Sequence, residues 1–193
     1  MMIQLLKYGN TNCYYIEGKN GSLLVDTDWA GTLQAFYSKI KELNIKKIDY
    51  LLITHYHPDH MGIAQDIIEN MNAKLLVIDV QKDYLHSSDK IFEKDNNTKF
   101  KPINMVPVII SCEQSRNFLK DLGIDGEIIY TPGHSDDSIS LILDQGIALV
   151  GDLYDLNSAA LFNDKKINDS WKKILSHNVK KICYGHHEQT IKR

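Results

Sequence analysis

Cysteine, proline and excess charge are all scarce in this chain of 193 residues. The three cysteines, Cys13, Cys112 and Cys183, stand far apart and form no C-x-x-C pair. An odd, scattered set excludes a disulfide framework, so they read as reduced thiols of a cytoplasmic protein. With 4 Pro and 11 Gly there is no flexible or Pro-rich linker, and a single domain over 1–193 is expected. A net charge of −3 gives no field that would gather phosphate backbones, so a small-molecule substrate is expected and nucleic acid is not. No window approaches the roughly 18 apolar residues of a membrane span, and the N-terminus lacks the pattern of a signal peptide, so no membrane partner is expected. Nothing in the composition speaks to oligomeric state.

What is present is a 43% hydrophobic chain in which short β-rich runs alternate with helical ones. "IQLLKYG", "CYYIEG" and "SLLVDT", parted by turn residues, predict three antiparallel strands. "TLQAFYSKIKELN" carries Leu33, Phe36, Tyr37, Ile40 and Leu43 at spacings of three and four, the period of an amphipathic helix ending at Asn44. "KKIDYLLITH" predicts a buried strand, "MGIAQDIIENM" a helix and "AKLLVID" a strand. The stretch from about 80 to 110 mixes helical and loop signals and supports no assignment. A second round follows: the helix "CEQSRNFLKDLG", the strands "EIIYTPGH", "SISLIL" and "GIALVGD", the helix "SWKKILSHN", and the strand "KKICYGHH". Two similar rounds predict a mixed α/β (α+β) fold, two sheets face to face with helices outside, a four-layer αββα sandwich.

The histidines are not evenly spread. "THYHPDH" places His55, His57, Asp59 and His60 in seven positions of a chain with only 8 histidines. It lies just past a predicted strand, where α/β sheets carry their chemistry. In an extended segment His55 and His57 point to one side, and the turn at Pro58 sends Asp59 and His60 elsewhere, so one loop can serve two ions. Three later strand ends supply His134 ("TPGHS"), Asp152 ("VGDLY") and His186 ("YGHH"). His187 is a weaker candidate than His186, Cys183 reads as buried, and His86 and His177 read as solvated. An imidazole and carboxylate set without thiolate suits zinc and also accepts iron or manganese.

These four motifs, in this order, resemble those of the metallo-β-lactamase-fold hydrolases. The resemblance spans 54 to 187 and implies that fold, with a first metal on His55, His57 and His134, a second on Asp59, His60 and His186, and Asp152 bridging both. True zinc β-lactamases lack an aspartate at the "GD" position, and the diiron oxygen reductases of the fold carry glutamate where His57 stands, so the resemblance lies with the glyoxalase II and lactonase-like branch. Glyoxalase II itself continues into a helical domain that is expected to be absent here. The function so implied is a dinuclear hydrolase whose metal-bridging hydroxide attacks a small ester, thioester, lactone or phosphodiester. Two divalent ions less two carboxylates and one hydroxide leave about +1 for an anionic transition state. Asp59 is expected to orient the nucleophile and shuttle its proton, and Tyr154 to donate to the oxyanion or leaving group. Asp26 and Thr54 are expected to fix histidine tautomers. The alternative is a mononuclear iron dioxygenase of sulfur compounds, or a metal-binding protein of the same fold without turnover.

Overall fold

A computed structural model describes residues 1–156, 158–159, 164–188 and 190–191. The first sheet has six strands in the order β1 (Met2–Lys7), β2 (Asn12–Glu17), β3 (Ser22–Val25), β4 (Tyr50–Leu52), β5 (Lys74–Ile78) and β6 (Val108–Ile110). The first three pair antiparallel, as the turn residues predict, and β3 through β6 run parallel. The second sheet holds β7 (Gly126–Tyr130), β8 (Ile139–Leu143), β9 (Ile147–Leu149), β10 (Lys181–Cys183) and β11 (Thr190–Ile191), in the order β11-β10-β9-β8-β7.

The sheets are buried on both faces, which is why their strands read as near-continuous apolar runs. Alternate residues nevertheless go to different cores. On β2 to β5, Tyr14, Ile16, Leu23, Val25, Leu52, Leu76 and Ile78 meet Ile128, Leu141, Leu143, Leu149 and Cys183 of the second sheet in an inter-sheet core. Cys13, Tyr15, Leu24, Leu51, Leu75 and Val77, from the opposite face of the first sheet, pack under helices. Those helices are α1 (Leu33–Glu42), which buries Phe36 and Ile40, the short α2 (Pro58–Met61), α3 (Ala64–Met71) and α4 (Asp89–Lys94), which buries Phe92. On the outer face of the second sheet, α6 (Lys165–Ser176) lays Ile167, Trp171 and Ile174 against Ile142, Ala148 and Ile182. The αββα order is therefore the observed one.

One helix departs from the expectation that all helices lie outside. α5 (Cys112–Asp121) sends Leu119 into the inter-sheet core, and Phe118 meets Tyr50 edge-on at 5.0 Å between centroids. It closes one side of the sandwich. The unassigned stretch holds a 3₁₀ turn (Asp79–Tyr84), α4 and the three-residue β6, each too short for periodicity to register. β11 falls in a C-terminal run that the sequence reading left unassigned.

Phe36 is fully buried and meets Tyr8 edge-on at 5.5 Å. Phe36→Ala is expected to cost about 3–5 kcal/mol. Urea unfolding would read this as a lower midpoint at unchanged slope; a loss under about 1 kcal/mol would contradict the packing described.

Candidate metal centre

Strands β4, β7, β9 and β10 deliver the cluster. β9 and β10 pair parallel, and β7 shares their direction because β8 is antiparallel to both β7 and β9. Their C-terminal ends therefore open on one edge of the sandwich, facing the C-terminal end of β4. His55 follows β4, His57 is the N-cap of α2, and Asp59 and His60 occupy its single turn behind Pro58. His134, Asp152 and His186 follow β7, β9 and β10.

All seven sequence-predicted ligand residues come together, in two groups. His55, His57 and His134 form one; Asp59, His60, Asp152 and His186 form the other; within each, the potential ligand atoms lie within 4.8 Å of one another. His55 and His57 rings stand 4.5 Å apart between centroids, as an extended H-x-H segment requires. Asp152 lies between the groups. Its Oδ2 is 3.9 Å from His55 Nε2, 3.7 Å from His134 Nε2 and 3.3 Å from His186 Nε2, while its Oδ1 is 3.2 Å from His60 Nε2. Asp59 Oδ2 is 3.0 Å from His186 Nε2.

The supporting hydrogen bonds set the tautomers. Asp26, buried and at φ 63°, accepts the Thr54 N–H at 2.7 Å and the Thr54 hydroxyl at 2.8 Å, and lies 2.9 Å from His60 Nδ1. Because the Thr54 proton goes to Asp26, its oxygen is left to accept from His55 Nδ1 at 3.2 Å. Both rings thus keep hydrogen on Nδ1 and turn Nε2 inward. His186 Nδ1 donates likewise to the Asn10 carbonyl at 3.3 Å. Two glycines permit the approach. A Cβ on Gly151, at φ 56°, would meet Thr54 Oγ1 at 2.5 Å, and one on Gly185 would meet Asp152 Oδ1 at 2.4 Å.

The inward-facing nitrogens are costly as they stand. His55 Nε2 is buried without a hydrogen-bond partner, His60 and His186 set Nε2 against Nε2 at 3.3 Å, and His57 Nδ1 meets His134 Nε2 at 3.0 Å. Lone pairs so opposed need protons or cations among them. In the second group the carboxylates draw protons onto the imidazoles. Burial works to lower the His60 pKa, but Asp26 and Asp152 outweigh it and raise it to about 10. Hydrogen bonds that His186 donates to the Asp152 and Asp59 carboxylates raise its pKa to about 10. Burial, and then the neighbouring imidazoles, hold His55 well below its ordinary value; burial also lowers His134. Against the opposing effect of burial, His186 and His60 hold Asp152 and Asp59 below the usual carboxylate range.

The residues with weaker claims are also placed. Tyr154 is 41% exposed, its ring 6.0 Å from that of His134 and its carbonyl accepting from Trp171 Nε1. His187 is exposed, Cys183 lies in the inter-sheet core, and His86 is exposed beside Asp89. His177, at the end of α6, is only partly solvated, 3.5 Å from Glu127. Residues 157 and 160–163, which follow the Asp152 turn, fall outside the described residues. Sequence reasoning missed the polar residues that fix the H-x-H backbone. Asp137, buried, accepts the Tyr56 N–H at 2.7 Å, and Gln81, buried, donates to the Ile53, Thr54 and Asp137 carbonyls. Polar side chains inside or beside apolar runs were their only signal.

An αββα sandwich with imidazoles and carboxylates gathered at its strand ends, compatible with a metal site, defines a class of metalloproteins. The chain belongs to the metallo-beta-lactamase superfamily, whose family model matches residues 6–186. It is 31% identical over 153 residues to the probable metallo-hydrolase MJ0888 of Methanocaldococcus jannaschii, covering 79% of this chain and 71% of that one. It spans 52% of a metallo-beta-lactamase fold-containing protein of Sulfurisphaera tokodaii and 58% of a beta-lactamase-like protein 2 homolog of Drosophila melanogaster. Among solved structures it matches the archaeal superfamily protein ST1585 from Sulfolobus tokodaii, with TM-score 0.68, 21% identity, and coverage of 98% of this chain and 81% of that one. It also matches TTHA1623, solved in a di-iron-bound form, with TM-score 0.75, 19% identity, and coverage of 99% and 94%. At these identities the structural likenesses establish the fold.

The proton distribution predicts a stability profile for the metal-free protein. His60 and His186 have folded pKa values of about 10 against about 6.5 unfolded, so their contribution is complete below about pH 6.5 and lost as pH rises toward 10. His55 and His134 are lowered, and with the depressed Asp59 and Asp152 they remove stability as pH falls. Chelator-treated protein is expected to be most stable near pH 6–7, read from denaturant midpoints between pH 4 and 10. A midpoint still climbing from pH 7 to 9 would contradict this assignment.

Proposed function

We propose that the chain is a dinuclear metal-dependent hydrolase, with zinc as its metal, acting on a small ester, thioester, lactone or phosphodiester. The observation that carries this reading is the position of Asp152 between two groups of ligand atoms, within 4 Å of nitrogens from both. His55, His57 and His134 would hold one cation, Asp59, His60 and His186 the other, and Asp152 both. The buried, unpartnered His55 Nε2 fits such an occupant, and the donor set, all nitrogen and oxygen, suits zinc while tolerating iron or manganese.

When bound, the cations supply electrophilic assistance and lower the pKa of water toward neutrality. The chain's own part is positioning and proton traffic. Asp59, on the turn of α2 and paired with His186, is placed to hold a water's proton and pass it on. The Tyr154 hydroxyl, on the rim beside His134, would donate to the charge developing on the substrate or leaving group. Asp26 and Thr54 hold the His60 and His55 rings so that little reorganisation remains for the reaction. The names of relatives support hydrolysis. Besides the probable metallo-hydrolase, an atrochrysone carboxyl ACP thioesterase of Claviceps purpurea is 25% identical over 147 residues, 74% of this chain and 39% of that one. The net charge of −3 suits a small substrate better than nucleic acid, and the reduced-thiol reading of the cysteines supports a cytoplasmic location.

The test combines metal analysis with a substrate panel covering the four ester-like classes. Two zinc equivalents per chain are expected, with turnover abolished by chelator and reduced by more than about 100-fold in His57→Ala. One iron with oxygen consumption, or hydrolysis indifferent to chelator and to the substitution, would overturn the reading.

A further inference from the structure

The loop that carries His186 is held from the other end of the chain. Asn12, the first residue of β2, is 8% exposed. Its side-chain Nδ2 donates to the Tyr184 carbonyl at 3.0 Å and to the His187 carbonyl at 2.9 Å, and its backbone N–H donates to the Gly185 carbonyl at 2.6 Å. Three carbonyls on either side of His186 are thus engaged by one residue. The neighbours act on the same group. Asn10 offers its carbonyl to His186 Nδ1, and the buried Thr11 hydroxyl donates to the Asp59 carbonyl at 2.7 Å. Thr11 N–H is in turn fixed by the buried Asp28 carboxylate at 3.0 Å. From two residues further along β2, the Tyr14 hydroxyl adds a bond to the Tyr184 carbonyl at 3.1 Å.

We propose that Asn12 is a positioning residue for the second metal group: through the β1–β2 turn it sets the place of His186 relative to Asp59, Asp152 and His60, and leaves the first group alone. The inference rests on the two-cation reading above. A purely structural asparagine at a strand start would serve its own hairpin, whereas both Nδ2 bonds of Asn12 cross to residues more than 170 positions away. The loops of the first group are held mainly by other residues. Asp26, Thr54, Asp137 and Gln81 hold His55 and the His57 segment. His134 stands on the loop after β7. The selectivity is therefore geometric, and it separates the two metals of one centre.

The experiment is zinc titration of metal-free protein against a chromophoric chelator, for the parent, Asn12→Ala and Asn12→Ser, alongside the unfolding midpoint of each metal-free protein. In Asn12→Ala the second equivalent is expected to weaken about 10–100-fold while the first binds as in the parent. Asn12→Ser, which keeps one donor, is expected to fall between them, and it carries the test alone if the alanine variant is insoluble. A variant that binds both equivalents as the parent does, or loses both to the same degree, overturns the proposal. A parent that binds fewer than two equivalents overturns the two-cation reading itself, and this inference with it.

Discussion

Seven polar side chains face one another at the edge of an otherwise apolar sandwich, and their electrostatics governs the rest of the structure. Imidazole nitrogens with inward lone pairs repel, and so do the carboxylates of Asp59 and Asp152 beside them. Positive charge among them turns that repulsion into attraction. In the metal-free chain protons on His60 and His186 do this for the second group, while in the first burial disfavours charge on His55 and His134 and leaves His55 Nε2 orphaned. The centre is thus asymmetric before any cation arrives: one half holds buried imidazoles whose charged form is disfavoured at His55 and His134, the other a proton-bearing set that must release protons to ligate.

Such an arrangement can be held only by a rigid frame, and the sheet geometry supplies it. A shared strand direction sends the C-terminal ends of β7, β9 and β10 to one edge, and backbone bonds tie the exits of β9 and β10 together, with Val150 N–H on the Cys183 carbonyl and Gly185 N–H on the Gly151 carbonyl. Buried polar residues then fix the loops from behind. Asp26, at left-handed φ after β3, serves Thr54 and His60 at once; Gln81 and Asp137 pin the segment between His55 and His57; Asn12 grips the loop of His186. Each of these is a buried polar group whose burial is offset by the hydrogen bonds it makes.

Much of this was legible in the sequence, and the reasons differ by element. α1 and α6 announce themselves by apolar residues at helical spacing, and the central strands by apolar runs bounded by turn residues. The ligands were legible because they fall just past predicted strands in a recognisable order. Thr54 followed from adjacency to His55, and Asp26 from its place at the end of the apolar run "LLVDT". The rest was hidden for physical causes. β6 and α4 are too short for a period to show. α5 departs from the outer layers because Leu119 answers to the inter-sheet core, which only the tertiary packing reveals. Asn12, Gln81 and Asp137 act across gaps of 27 to 175 residues, and no local pattern distinguishes a polar residue that holds a distant loop from one that faces water.

The most direct measurement is a crystal structure of zinc-loaded protein with anomalous scattering recorded on both sides of the zinc absorption edge. Two peaks are predicted, about 3.5–4 Å apart, one among His55, His57 and His134, the other among Asp59, His60 and His186, with Asp152 reaching both. A single peak, or two peaks that leave Asp152 touching neither or only one, would contradict the account.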